Sequence, residues 1–184
     1  MMALSAIAFE GLAPQPAAAL GGKAPEVGEA APPFRLDGVA PAGPNHEPRL
    51  VSLSLEDFSG RWLVLYFYPK DFTPGCTIEA RGFQKDLASF HQMGAEVVGV
   101  STDSPDSHGS FCGTEGLAYP LLSDPEGSVC RRYGSWLAPT ALRHTFLIDP
   151  EGQVRASWRG VRPLGHSLEV LGTLREAQAD TRTT

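Results

Sequence analysis

The stretch Trp62-Leu-Val-Leu-Tyr-Phe-Tyr68, followed by Pro69-Lys70-Asp71-Phe72-Thr73-Pro74-Gly75-Cys76, decides the fold. An unbroken apolar and aromatic run closed by a proline suits a central strand buried on both faces. The loop after it ends at a helix that begins near Cys76 and runs to about residue 92. On that helix Phe83, Leu87 and Phe90 fall at i, i+4 and i+7 and make one apolar face, and Gly94 stops it.

Working outward, residues 95–101 read as a second buried strand. Ser104 or Asp106 can cap a helix that carries Phe111 and Cys112 and ends near Gly116. Residues 120–122 form a short strand and 127–133 a short helix. Strands at 144–148 and 154–158 flank the turn Asp149-Pro150-Glu151-Gly152 and make an antiparallel hairpin. Ser167 caps a last helix with Val170, Leu171 and Leu174 on one side. Upstream, residues 34–36 and 50–53 pair as an N-terminal β-hairpin across a Gly/Pro-rich loop at 38–48, and Ser54 caps a short turn. This order predicts an α/β domain with a mixed central sheet flanked by helices.

The chain of 184 residues accommodates one such domain with appendages. Residues 1–24 read as a flexible extension or a degenerate export signal, 25–178 as the domain, and 179–184 as a disordered tail. Residues 1–9 are apolar and 14–22 small and flexible, as in a signal. However, Glu10 interrupts the apolar run and no Lys or Arg precedes Lys23. The expectation is therefore a cytoplasmic protein, with export to a periplasm or thylakoid lumen as the alternative. A net charge of −6 argues against nucleic acid and anionic membrane surfaces as partners. No apolar run is long enough to cross a bilayer.

Cysteine use is sparse and odd: Cys76, Cys112 and Cys130. That favours individual reactive thiols over a disulfide scaffold. Cys76 lands at a helix N-terminus, where unpaired amides and the helix dipole favour a thiolate, the nucleophilic form. Thr73 can aim its hydroxyl at the sulfur or at a bound oxygen, Pro74 stiffens the approach, and Gly75 removes bulk beside it. A buried apolar thiol is the plain alternative for Cys76, but it explains neither the Thr-Pro-Gly approach nor the helix start. None of the histidines (His46, His91, His108, His144, His166) has zinc-type spacing with a cysteine pair. His108 and Cys112 stand at i and i+4, with no second pair of ligands evident. No metal or dissociable cofactor is expected.

The segment from Tyr66 to Ala80 resembles the peroxiredoxins, most closely the bacterioferritin-comigratory-protein or peroxiredoxin Q subfamily. The signature Pro-x-x-x-Thr/Ser-x-x-Cys is matched by Pro69, Thr73 and Cys76. Similarity continues through 101–104, 120–124, Tyr133-Gly134 and 143–150 and covers about residues 25–178. Tyr-Gly-Ser-Trp and Arg-His-Thr-Phe are similar to the cyanobacterial and chloroplast branch. The resemblance implies a thioredoxin-like fold and a thiol peroxidase acting on hydrogen peroxide and organic hydroperoxides in antioxidant defence and redox homeostasis. It implies Cys76 as the peroxidatic cysteine and Thr73 as a hydrogen-bond partner of peroxide and thiolate. Pro69 then shields the sulfenic acid, and Arg143 stabilises the thiolate and polarises the O–O bond. Taken alone, Arg143 reads as a surface charge and Lys70 as an exposed lysine. Glu79, one turn into the helix, could orient such an arginine, but it reads rather as a complement to the helix dipole and falls outside the site.

Many members of that subfamily carry a resolving cysteine five residues after the first, where this chain has Arg81. Another group carries it in the helix after the second core strand, and Cys112 fits that place. Cys130, beside Val129 and Tyr133, reads as a packed core thiol. The implied product is an intramolecular Cys76–Cys112 disulfide, recycled by thioredoxin or a related dithiol protein, in a monomeric enzyme. Cysteines on separate helices rarely meet the ~7 Å Cα limit for a disulfide without backbone movement. The first turn after Cys76 and the helix around Cys112 should therefore unwind on oxidation, eased by Gly109 and Gly113. The competing reading is a non-catalytic sensor whose disulfide alters a partner interaction.

Overall fold

A computed structural model describes residues 21–41 and 48–181. Nine strands and four helices follow in order: β1 Arg35–Ala40, β2 Arg49–Ser54, β3 Trp62–Phe67, α1 Pro74–Gln92, β4 Ala95–Ser101, α2 Pro105–Glu115, β5 Leu121–Ser123, α3 Ser128–Arg132, β6 Trp136–Leu137, β7 Thr140–Ala141, β8 His144–Ile148, β9 Val154–Arg159 and α4 His166–Thr181. A 3-10 turn, Leu55–Phe58, follows β2 and is closed by a capping box between Ser54 and Asp57.

The sheet runs β2-β1-β5-β4-β3-β8-β9. Strands β3, β4 and β5 are parallel, whereas β8 is antiparallel to β3 and β1 to β5. The expected mixed sheet is what forms, and the N-terminal hairpin builds one of its edges. Alternation along β3 assigns the core to two faces. Trp62, Val64, Tyr66 and Tyr68 pack with Phe83, Leu87 and Phe90 of α1, Phe111 of α2, and Val170, Leu171 and Leu174 of α4. Leu63, Leu65 and Phe67 face the other way, onto Val129, Cys130, Tyr133 and Phe146. All six residues of β3 are buried, as an inner strand covered on both faces requires.

Several boundaries differ from expectation for identifiable reasons. β1 passes through Gly38, read as loop. A Cβ there would collide with the Leu121 carbonyl, so glycine is what lets β1 lie against β5. The rest of the expected loop, 42–47, lies outside the described residues. α1 starts at Pro74, two positions ahead of Cys76, because proline at the first helical position loses no bond. Ser167 lies inside α4, and its hydroxyl donates to Asp86 of α1 at 2.7 Å. α4 runs past the expected boundary at 178 to Thr181, where Gln178 donates to the Met93 carbonyl at the end of α1. Ala24, assigned to the extension, is buried against Gly134. Residues 1–20 and 182–184, most of the expected extension and half of the expected tail, lie outside the described residues. The ribbon β6–β7 was not anticipated, since two-residue strands leave no periodicity to read.

Candidate active site

Helix α1 receives its first turn from the loop that leaves the C-terminal end of β3. Thr73 occupies the N-cap position with extended backbone, Pro74 is the first helical residue, and Cys76 the third. The Thr77 amide closes the first helical bond onto the Thr73 carbonyl at 2.9 Å. Pro74 carries no amide hydrogen, and the Gly75 and Cys76 amides precede the first intrahelical bond, so this end of the helix favours an anion. Cys76 is 1% exposed.

Arg143 reaches it from the opposite direction of chain travel. β8 pairs antiparallel with β3 in a register that sets His144 opposite Phe67, so β8 begins where β3 ends. Arg143, just before β8, therefore hangs over the same end of the sheet, and its carbonyl is fixed by the Val161 amide at 3.0 Å. One guanidinium nitrogen, Nη2, donates to Cys76 Sγ at 3.3 Å, and Nη1 donates to Glu79 Oε2. A permanent cation with fixed donors sits against the sulfur, the arrangement that stabilises a thiolate and the negative charge of a departing oxygen. Gly75 matters to this approach: a Cβ there would stand 3.1 Å from Arg143 Nη2.

Glu79 is a site residue that the sequence reading left out. It lies one turn after Cys76 on the same side of α1, 1% exposed, with Oε2 on Arg143 and Oε1 lacking any hydrogen-bond partner. Burial pushes its carboxyl up to about 7, against the opposing pull of the Arg143 charge. Its i+3 spacing from Cys76 was the available signal, and the arginine partner lies 64 residues away in sequence.

Thr73 is placed differently from expectation. Its hydroxyl donates to the Lys70 carbonyl at 2.9 Å, which braces the loop, and no hydrogen bond from it to the sulfur exists in this state. With the proton so committed, Thr73 Oγ1 is left to accept from an incoming O–H. Pro69 is half-buried at the start of the same loop, and Lys70 is exposed.

The AhpC/TSA family model matches residues 27–157. The chain belongs to the AhpC/TSA family. Peroxiredoxin Bcp of Xanthomonas campestris is 44% identical over 131 residues, spanning 66% of this chain and 81% of the relative. Peroxiredoxin Bcp of Bacillus subtilis is 37% identical over 159 residues, 82% of this chain and 96% of the relative. Among solved structures, a Cys-to-Ser mutant of Xylella fastidiosa PrxQ superposes with a TM-score of 0.73 at 33% identity, covering 85% of this chain and 99% of the other. Xanthomonas campestris bacterioferritin comigratory protein, studied for alkyl peroxide reduction, superposes at 0.69 with 37% identity, covering 78% and 91%. Two further Xanthomonas campestris PrxQ structures carry Cys-to-Ser changes at positions 36 residues apart (84 − 48). The thioredoxin-like fold expected from the sequence is thereby shared with solved peroxiredoxins, and the chain is a thiol peroxidase.

In this family member all three cysteines are free and buried. Cys76 and Cys112 belong to the core on the same face of the sheet, whereas Cys130 lies in the core on the opposite face. Burial, with the Asp71 charge adding to it, pushes the Cys112 thiol up to about 12. Burial raises the Cys130 thiol also, helped by Asp124.

Between the Cys76 loop and α2 stands a buried polar cluster that sequence reading did not assemble. His108 Nδ1 meets Asp71 Oδ2 at 2.9 Å, and the pair is 0% and 1% exposed at the side chain. Ser107 donates to Asp71 Oδ2 and Tyr68 to Asp71 Oδ1, each at 2.7 Å, while the Asp71 amide donates to Asp103 at 2.9 Å. These bonds hold the Asp71 carboxyl below its usual range in spite of burial. Among the described residues no group of three or more His, Cys, Asp or Glu side chains could hold a metal ion, and the His108–Cys112 spacing is explained by Asp71.

Proposed function

We propose that Cys76 is the peroxidatic cysteine and Cys112 the resolving cysteine of a monomeric, thioredoxin-recycled peroxidase for hydrogen peroxide and small organic hydroperoxides. The hydrogen bond from Arg143 to Cys76 Sγ at the start of α1 carries the reading. The Cys76 thiolate attacks the distal peroxide oxygen, the O–O bond breaks, and the proximal oxygen leaves as water or alcohol after taking a proton. The sulfur is oxidised by two electrons to sulfenic acid. Arg143 stabilises charge on the leaving oxygen, Thr73 Oγ1 accepts a hydrogen bond from the peroxide O–H, whose proton stays with the sulfenic oxygen, and Pro69 shields the product.

The Cys112 thiolate then attacks the sulfenic sulfur. The S–S bond forms, the S–O bond breaks, and hydroxide departs to be protonated to water. Two observations support Cys112 over Cys130. It shares a sheet face with Cys76, and its spacing from Cys76 (112 − 76) equals that of the two replaced cysteines in Xanthomonas campestris PrxQ. Both cysteines are buried on separate helices, so the first turn of α1 and the end of α2 unwind to join them. A dithiol protein completes the cycle by reducing the disulfide through a mixed-disulfide intermediate.

A peptide map of the peroxide-treated chain tests this. A Cys76–Cys112 bridge is expected, with peroxide turnover coupled to thioredoxin and lost in Cys76→Ser. A Cys76–Cys130 bridge, or one stoichiometric oxidation without turnover, refutes it. Gel filtration tests the monomer. Cell fractionation tests the proposed cytoplasmic location.

A further inference from the structure

The Asp71–His108 pair joins the two segments that have to open for resolution. Asp71 sits in the loop five residues before Cys76, and His108 sits one helical turn before Cys112 on α2. The ring nitrogens of His108 reveal the state of the pair. Nε2 lies 3.1 Å from the Leu122 carbonyl, which only accepts, so Nε2 carries a proton. Nδ1 faces an Asp71 oxygen at 2.9 Å, and a second proton is shared between those atoms. The pair therefore stands as imidazolium against carboxylate, or as its neutral proton-transferred equivalent, and each partner is stranded when the other leaves. Tyr68 and Ser107 occupy two further acceptor positions of Asp71, one on each oxygen.

An apolar contact runs alongside. Phe72 packs edge-on against Phe111, neighbour of Cys112, with ring centroids 5.0 Å apart. Phe72 is 51% exposed and has φ +60, a left-handed conformation that a phenylalanine holds only when its surroundings fix it. The bonds of Asp71 on one side and Phe111 on the other supply that constraint. Loop and helix are thus clamped twice, by a buried polar pair and by a ring contact, and Cys112 lies under the clamp.

We propose that the Asp71–His108 pair is a positioning latch that makes the Cys76 loop and the Cys112 helix open together, so that it sets the rate of disulfide formation and leaves peroxide attack unchanged. This rests on the Cys76–Cys112 reading. When the loop unwinds it withdraws Asp71, His108 loses its partner in a dry site, and the folded form of α2 is destabilised at the moment Cys112 is needed. Closed, the latch keeps Cys112 buried and beside a carboxylate, which suppresses its thiolate; opening removes both restraints.

The test compares the full chain with Asp71→Asn, His108→Asn and the milder Ser107→Ala by quenched flow and mass spectrometry. Cys76 sulfenic acid and the disulfide are followed separately after a peroxide pulse. In the two pair variants the disulfide is expected to form about tenfold faster or more, because a buried pair missing one partner favours local opening. Ser107→Ala is expected to fall between them and the parent, and Cys76 oxidation to stay within about threefold throughout. Unchanged disulfide formation, or oxidation and resolution slowed together, overturns the latch. Hydrogen exchange on the parent decides the matter even where a variant misfolds. Amides of 105–115 and of 70–76 should lose protection together in the disulfide form, and protected 105–115 amides in that form overturn the latch. A parent that makes no Cys76–Cys112 bridge removes the underlying reading and the latch with it, whereas a normal bridge with unaltered variants removes the latch alone.

Discussion

Gly109 and Gly113 are mid-helix residues that packing does not require. Both lie within α2, on either side of Cys112, and a Cβ built at either meets nothing within 4 Å. Neither has a positive φ, so alanine fits both without strain. Each glycine costs a helix about 0.8–1 kcal/mol relative to alanine. The double replacement Gly109→Ala/Gly113→Ala should therefore stabilise helical α2 by about 2 kcal/mol. If α2 unwinds before Cys112 can attack, the open population falls by the same free energy, which is roughly thirtyfold at about 1.4 kcal/mol per factor of ten. Stopped-flow mixing with a stoichiometric peroxide pulse separates the steps: the oxidation phase of Cys76 should be unchanged while the slower disulfide phase drops by ten- to thirtyfold. The variant should also accumulate sulfinic acid at Cys76 when peroxide is in excess, because the sulfenic acid waits longer for its partner. A raised melting temperature with an unaltered disulfide phase would refute the reasoning, since it would mean that Cys112 reaches Cys76 without α2 opening.

Three other expectations follow from the site. Arg143→Lys keeps a charge but loses the fork that holds Cys76 and Glu79 together, so the second-order rate of peroxide reaction should fall by about 100-fold or more, measured as the first phase in the same mixing experiment. Gly75→Ala sets a methyl carbon 3.1 Å from Arg143 Nη2 and should slow that phase with little effect on the melting temperature. Glu79 is raised to about 7 from an ordinary value of 4.5. The folded state thus holds a proton that the unfolded state has released, and the stability this contributes is complete below about pH 4.5 and lost as pH rises through 7. Denaturant midpoints of the parent should decline across that window, by up to about 3 kcal/mol of unfolding free energy, and Glu79→Gln should flatten the slope; an unchanged slope counts against a protonated Glu79.

The central strands and the cysteine at the start of α1 were legible because each is written locally. The apolar run before Pro69 defines β3, the valines of 95–101 define β4 with its observed ends, and the Thr-Pro-Gly approach marks Cys76. What escaped depends on chain segments meeting at a distance. Gly38 reads as loop until Leu121 is found beside it. Glu79 reads as a complement to the helix dipole until Arg143 is found on its carboxylate, and Asp71 and His108 are 37 residues apart with no motif to join them. His108 and Cys112 at i and i+4 drew attention to the right helix face without giving His108 a role, because the carboxylate that accounts for it comes from another loop. Thr73 was picked out for its hydroxyl alone; its place at the N-cap of α1 and its bond to the nearby Lys70 carbonyl emerge only with the loop folded.

The antiparallel register of β8 on β3 has a consequence for how the enzyme resets. Arg143 is carried on the sheet, while Cys76 and Glu79 ride on the first turn of a helix. One partner is mounted on the frame and the other on a hinge. On the proposed cycle, in which the first turn of α1 unwinds to meet Cys112, the sulfur departs and the guanidinium stays as a template facing the place the sulfur left. Refolding of a single helical turn is then guided to its seat by a charge that never moved. On that cycle, returning to readiness is a docking event rather than a search, and the accuracy of the site is inherited from the strand pairing that places Arg143.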